Sequence, residues 1–105
     1  MNDPQFVEAG RRLAENTLRE QQDDQSRAEW MLQAVLSRPP GDADVADILS
    51  AAAELRAIFA EDAEVAKALI NTGDSKPSET LDAAELATWT MVANILMNRD
   101  DFINK

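Results

Sequence analysis

Apolar residues recur along this chain at spacings of three and four, the period of an α-helix that buries one face, and polar or proline-containing breaks divide the pattern. The first segment opens at Asp3-Pro4. Aspartate is a good N-cap, and proline suits the first helical position because an N–H there would have no intrahelical partner. A helix is predicted from about Pro4 to Gln22, with Phe6, Leu13 and Leu18 among its apolar contacts. After the polar run QQDDQS, Asp23 or Asp24 is placed to cap a second helix over RAEWMLQAVLS, where Ala28, Leu32, Val35 and Leu36 share a face. Arg38 and the pair Pro39-Pro40 end it, since proline disfavours helical geometry in the residue before it and donates no backbone hydrogen bond.

Gly41 or Asp42 opens a third helix carrying the longest clean stripe, Val45, Ile48, Leu49, Ala52, Leu55 and Phe59. Ala51, Ala52 and Ala53 in its middle predict close approach of another helix. Beyond Glu61 and Asp62 a shorter helix carries Val65, Ala66, Leu69 and Ile70, and Asn71-Thr72-Gly73 is its stop. GDSKPSET reads as a loop. The last helix begins at Asp82, with Glu85 three residues on to complete a capping box and Leu81 and Leu86 placed as a hydrophobic staple.

That last segment is apolar over an unusually wide arc. Leu86, Trp89, Ala93 and Leu96 form one stripe, Met91, Ile95 and Phe102 a second, and Val92 lies between them. Such a helix is expected at the centre of a bundle, packed by neighbours on several sides; the less favoured alternative is that part of the arc meets another chain or domain. The fold class implied is all-α, a compact bundle of about five helices spanning residues 1–105 as a single helical domain.

Composition narrows the function. A chain of 105 residues is large enough for one self-sufficient core and small for a deep cleft. Twenty acidic against ten basic residues give a net charge of −10, which disfavours nucleic acid and anionic lipid as partners. Neither cysteine nor histidine occurs. The usual ligands of zinc, copper and haem are therefore missing, as are a Ser-His-Asp triad and a thiol nucleophile. No apolar run reaches the ~20 residues of a membrane-spanning helix, and MNDPQFVEAG lacks the layout of a signal peptide.

Carboxylates are the only chemical groups present in quantity. Asp23-Asp24, Asp42-Asp44-Asp47, Glu61-Asp62-Glu64 and Asp100-Asp101 offer oxygen ligands for Ca²⁺ or Mg²⁺. None fits the spacing of a calcium loop, and most stand at helix starts, where negative charge complements the helix dipole. Trp30 and Trp89 could stack on sugars, but one tryptophan per amphipathic helix more simply supplies core volume. Met1, Met31, Met91 and Met97 read as an initiator and as flexible filler. No residue is assigned a catalytic, cofactor-binding or metal-binding role, and no enzymatic activity is expected.

Several segments carry a family likeness. LDAAELATWTMVANILMNRDDFINK resembles the C-terminal end of the planctomycete-specific family catalogued as domain of unknown function 1553, which typically finishes with an Ala-Ala-Trp-Thr, Leu-Leu-Asn-Leu-Asp-Glu type of segment. The matching positions are Thr88, Trp89 and Thr90, then Leu96, Met97, Asn98, Arg99, Asp100 and Asp101, with Met97 and Arg99 replacing leucines and Asp101 standing where glutamate is common. NDPQFVEAGRRLAE, LSRPPGDAD and GDSKP are similar to further segments of the family in the same order.

The resemblance implies a C-terminal domain cut from a large extracytoplasmic protein whose relatives often carry a secretion signal and a cytochrome-c-like module. The expected partners are the preceding domains of that parent polypeptide and other proteins, without nucleic acid or membrane insertion. The expected role is non-catalytic packing or protein–protein contact. The rival expectations are a module for carbohydrate or another extracellular ligand, and a domain whose acids complete an active site of the parent.

Overall fold

The computed structural model describes residues 4–36, 38–73 and 75–98. Among them the chain forms five α-helices and no strand: α1 (Pro4–Glu20), α2 (Asp24–Val35), α3 (Asp42–Glu61), α4 (Ala63–Ile70) and α5 (Ala83–Met97). The chain is an all-α bundle, with a radius of gyration of 12.8 Å, close to the ~13 Å typical of a folded chain of about 100 residues.

Local chemistry sets most of the boundaries. Three helices start on an aspartate whose carboxylate accepts an otherwise unpaired backbone N–H: Asp23 from Ser26 at 2.9 Å, Asp62 from Val65 at 3.2 Å and Asp82 from Glu85 at 3.0 Å. Each such cap contributes about 1 kcal/mol. α3 starts at Gly41, which has no side chain to offer, and the Asp44 carboxylate instead accepts the Gly41 N–H at 2.9 Å. α4 ends where Asn71 N–H donates to the Lys67 carbonyl and Gly73 turns the chain at φ +103°. A side chain at Gly73 would also meet the Glu8 Cβ at 2.8 Å, so glycine is required there twice over. The Asp3 cap lies outside the described residues.

α1 stops at Glu20, short of the expected Gln22. Gln21 still donates to the Thr17 carbonyl at 2.9 Å. Its own carbonyl, however, receives Nε of Arg27 at 3.1 Å, and that side chain turns the backbone into α2.

α5 is the centre of the bundle, packed against α1, α3 and α4, with α2 bridging α1 and α3. Leu86, Trp89, Val92, Ala93 and Leu96 are fully buried. The Thr88 and Thr90 hydroxyls, equally buried, donate to the carbonyls of Ala84 and Leu86 at 2.8 and 2.7 Å, which keeps them satisfied without a partner from another helix. α1 approaches α5 most closely at Gly10, where an added Cβ would overlap the Asn94 amide and lie 3.2 Å from the Thr90 carbonyl oxygen.

The faces of α2 and α3 follow the periodicity. Ala28, Leu32, Val35 and Leu36 are buried, as are Val45, Ile48, Ala52 and Phe59, while Leu49 and Leu55 are partly covered. Of the three central alanines only Ala52 is wholly enclosed; Ala51 is half-buried and Ala53 faces solvent. Val65 departs from its expected stripe and is exposed, because α4 turns Ala66 and Ile70 into the core and Val65 stands about 100° round the helix from Ala66.

Candidate functional site

Three features organise the polar and apolar chemistry of the surface. The first is a charged cluster on α1. Arg11 is 1% exposed, although a basic residue in the run Gly10-Arg11-Arg12 gives no local sign of burial. Its guanidinium donates to the Glu15 carboxylate at 3.0 Å, to the carbonyls of Ser75 and Lys76 at 3.0 Å each, and to the Ser75 hydroxyl. Glu8 accepts the Ser75 N–H at 2.8 Å and the Ser75 hydroxyl, and Glu15 accepts the Ser78 N–H at 2.8 Å.

The segment read as a loop is thus strapped to α1 by three charged side chains more than sixty residues away in sequence. Arg11 Nε alone among that guanidinium's nitrogens is buried without a partner.

The second feature joins three helices. Arg56 of α3 makes two parallel bonds to Asp24 of α2, both at 2.9 Å, and two to Glu85 of α5, at 2.6 and 3.1 Å. Arg27 adds a contact to Glu85 at 3.4 Å. The hydrogen bonds that Arg56 donates to Glu85, then those to Asp24, hold its guanidinium more firmly protonated than usual. Glu85 is consequently not the reciprocal half of a capping box. Asp82 caps the helix as expected, but the Glu85 carboxylate turns to arginines on α2 and α3.

The third is a groove of about 200 Å³ between α1, α4 and α5. Its walls are Phe6, Val7, Leu69, Met91 and Ile95, and two amides, Asn94 and Asn98, complete it. The Asn94 amide donates to the Phe6 carbonyl at 3.2 Å, fixing the start of α1 to the end of α5. Ile95 is 43% exposed, and Val65, one turn before Leu69 on the same face of α4, is 47% exposed. The second apolar stripe of the last helix, through Met91 and Ile95, therefore lines this groove; Phe102 lies outside the described residues.

The acid pairs are dispersed. Asp23 caps α2, and the bonds from the backbone and hydroxyl of Ser26 hold its carboxyl below the usual aspartate range. Asp24 belongs to Arg56, Asp44 pairs with Arg38 at 2.8 Å, Asp62 caps α4, and Glu64 stands 4.0 Å from Lys67. Asp100 and Asp101 lie outside the described residues. Among the described residues no three carboxylates are grouped to hold a metal ion. The two tryptophans differ: Trp89 is wholly enclosed, whereas Trp30 is only half-buried and borders a hollow of about 150 Å³ with Gln21, Ser26, Glu29 and Gln33. Trp30 is thus not the core residue that its helical setting suggested, because the buried face of α2 runs through Ala28, Met31, Leu32 and Val35.

No family model, curated protein or solved structure matches this chain. Among the described residues no helix is long and apolar enough to cross a membrane.

Proposed function

We propose that this chain is a non-catalytic helical domain from the C-terminal end of a larger extracytoplasmic protein, similar to the domain of unknown function 1553 family, and that it packs against preceding domains of that protein. The observation that carries the contact role is the α1–α4–α5 groove. Among the described residues its lining has no titratable side chain, and at about 200 Å³ it is smaller than the roughly 300–1,000 Å³ of sites that enclose a small molecule. Exposed aliphatic surface beside the buried amide of Asn94 is the chemistry of a packing contact.

The segments that carry the family likeness depend on one another. Glu8 and Arg11, from NDPQFVEAGRRLAE, hold Ser75 of GDSKP. Phe6 and Gly10 of the same segment meet Asn94 of the final one. Three stretches that resemble the family separately thus form one interdependent unit around α1.

The test is calorimetric titration of the chain into the remainder of the parent polypeptide. Saturable binding with a negative heat-capacity change is expected, weakened at least about tenfold by Ile95→Asp, since a charge at an apolar contact costs over about 1.4 kcal/mol. Ile95 is 43% exposed, so this change leaves the core intact. Absence of binding, or equal affinity of both chains, contradicts the reading.

A ligand-binding module is the second reading, and Trp30 is the observation that favours it. A half-exposed indole ringed by amide, hydroxyl and carboxylate groups is suited to stacking on a sugar. Quenching or shift of Trp30 fluorescence by oligosaccharides, read in a Trp89→Phe background, would move this reading ahead.

A further inference from the structure

We propose that Ser75–Ser78 is a strap that latches onto α1 as one cooperative unit and opens without unfolding the bundle, uncovering Ile70 and Leu81. The segment has no helix or strand of its own, and among the described residues it is hydrogen-bonded to Glu8, Arg11 and Glu15 of α1. Segments held by few apolar contacts are the ones that open first.

Cooperativity follows from sharing. One guanidinium nitrogen of Arg11 serves both the Lys76 carbonyl and the Glu15 carboxylate, and the other serves the Ser75 carbonyl and hydroxyl. Glu15 in turn holds the Ser78 N–H. Loss of the contact at one end therefore loosens the group that orients the other end. Glu8 and Glu15 are seven residues apart, about 10 Å along the helix, so neither carboxylate reaches the other's amide directly.

The opened state is not left with a dry charge. The Arg11 guanidinium is held by the Ser75 and Lys76 carbonyls of the strap, so their departure lets water replace them at the guanidinium, including at the Nε that has no partner when the strap is closed. A hollow of about 420 Å³ already undercuts the segment, lined by Ile70, Lys76, Pro77, Ser78, Leu81 and Ala83. Ile70 is 5% exposed in the closed form. Opening converts this hollow into a broader apolar surface on the side of the molecule formed by the end of α4 and the approach to α5.

The experiment is native-state hydrogen exchange by NMR on the full chain, comparing the parent sequence with Glu15→Ala and Glu8→Ala. Of the strap amides, Glu15→Ala removes the acceptor of Ser78 alone and Glu8→Ala that of Ser75 alone; the first also removes a partner of Arg11 and the second the acceptor of the Ser75 hydroxyl. In the unchanged chain both amides should be protected. In each variant both should lose protection together, by about tenfold or more given the strength of a hydrogen bond to a charged group, while amides in α5 and the circular dichroism keep their values. Loss confined to the amide whose acceptor was removed overturns the unit. Loss of helicity in either variant overturns the independence from the bundle, and unprotected Ser75 and Ser78 amides in the unchanged chain overturn the latch.

Discussion

Trp89→Ala is the most demanding test of the packing. The residue sits on α5 with no exposed surface, among Leu86, Val92, Ala93 and Leu96, which are equally buried. Truncation of a buried tryptophan to alanine costs about 3–5 kcal/mol, from the lost transfer energy and the cavity left behind. A domain of this kind has about 5–15 kcal/mol in total. With a urea slope near 1.5 kcal/mol/M, a loss of 3 kcal/mol moves the midpoint down by about 2 M.

The structure adds a second arm to this experiment. Trp89 Nε1 is buried with no hydrogen-bond partner, and an unsatisfied buried donor costs about 1–3 kcal/mol. Trp89→Phe discards that donor while retaining an aromatic ring, so its loss should remain below about 2 kcal/mol. Urea unfolding followed by far-ultraviolet circular dichroism measures both, since the probe does not depend on the indole. A midpoint for Trp89→Ala equal to that of the unchanged chain would refute the core placement of α5. Equal losses in the two variants would refute the argument from the unpaired N–H.

Gly10→Ala should destabilise by about 1–3 kcal/mol despite alanine's better helix propensity, because the new methyl group meets Asn94 and the Thr90 carbonyl; Asn94→Ala in the same chain should recover part of that loss in thermal melts. Asp23 is held below its usual range by the Ser26 N–H and hydroxyl, so its stabilising contribution is complete above the unfolded value of about 3.9 and is lost as pH falls through the lower folded one. Replacing it by serine, which caps without titrating, should flatten the acid limb of the stability curve in that window, and an unchanged limb would show that the cap is not linked to acid unfolding.

What could be read in the sequence was what is encoded locally. The stripe of α2 and the aspartate caps at Asp23 and Asp82 depend on residues three or four positions apart, and the helices form around them. The charged groups were opaque for the opposite reason. Arg11 is buried by carbonyls 64 and 65 residues away, and Glu85 is drawn from its own helix start by an arginine 29 residues earlier. No spacing rule pairs such residues. Periodicity also cannot tell which part of a wide apolar arc finds cover, so Val65 turned outward and Trp30 stayed only half-buried while Arg11 and Thr17 turned in. The groove was foreshadowed only as a second stripe on α5; Phe6 and Leu69, which complete it, come from two other helices.

Oxidative footprinting of the methionines tests the proposed contact most directly. Met91 lines the groove and is half-buried, whereas Met31 in α2 is fully enclosed, and a thioether oxidises according to its exposure. Pulsed hydroxyl-radical labelling with mass spectrometry should find Met91 reactive in the isolated chain and several-fold protected in the intact parent protein, with Met31 resistant in both. Equal reactivity of Met91 in the two would mean that the groove stays open to solvent and that the domain does not pack through it.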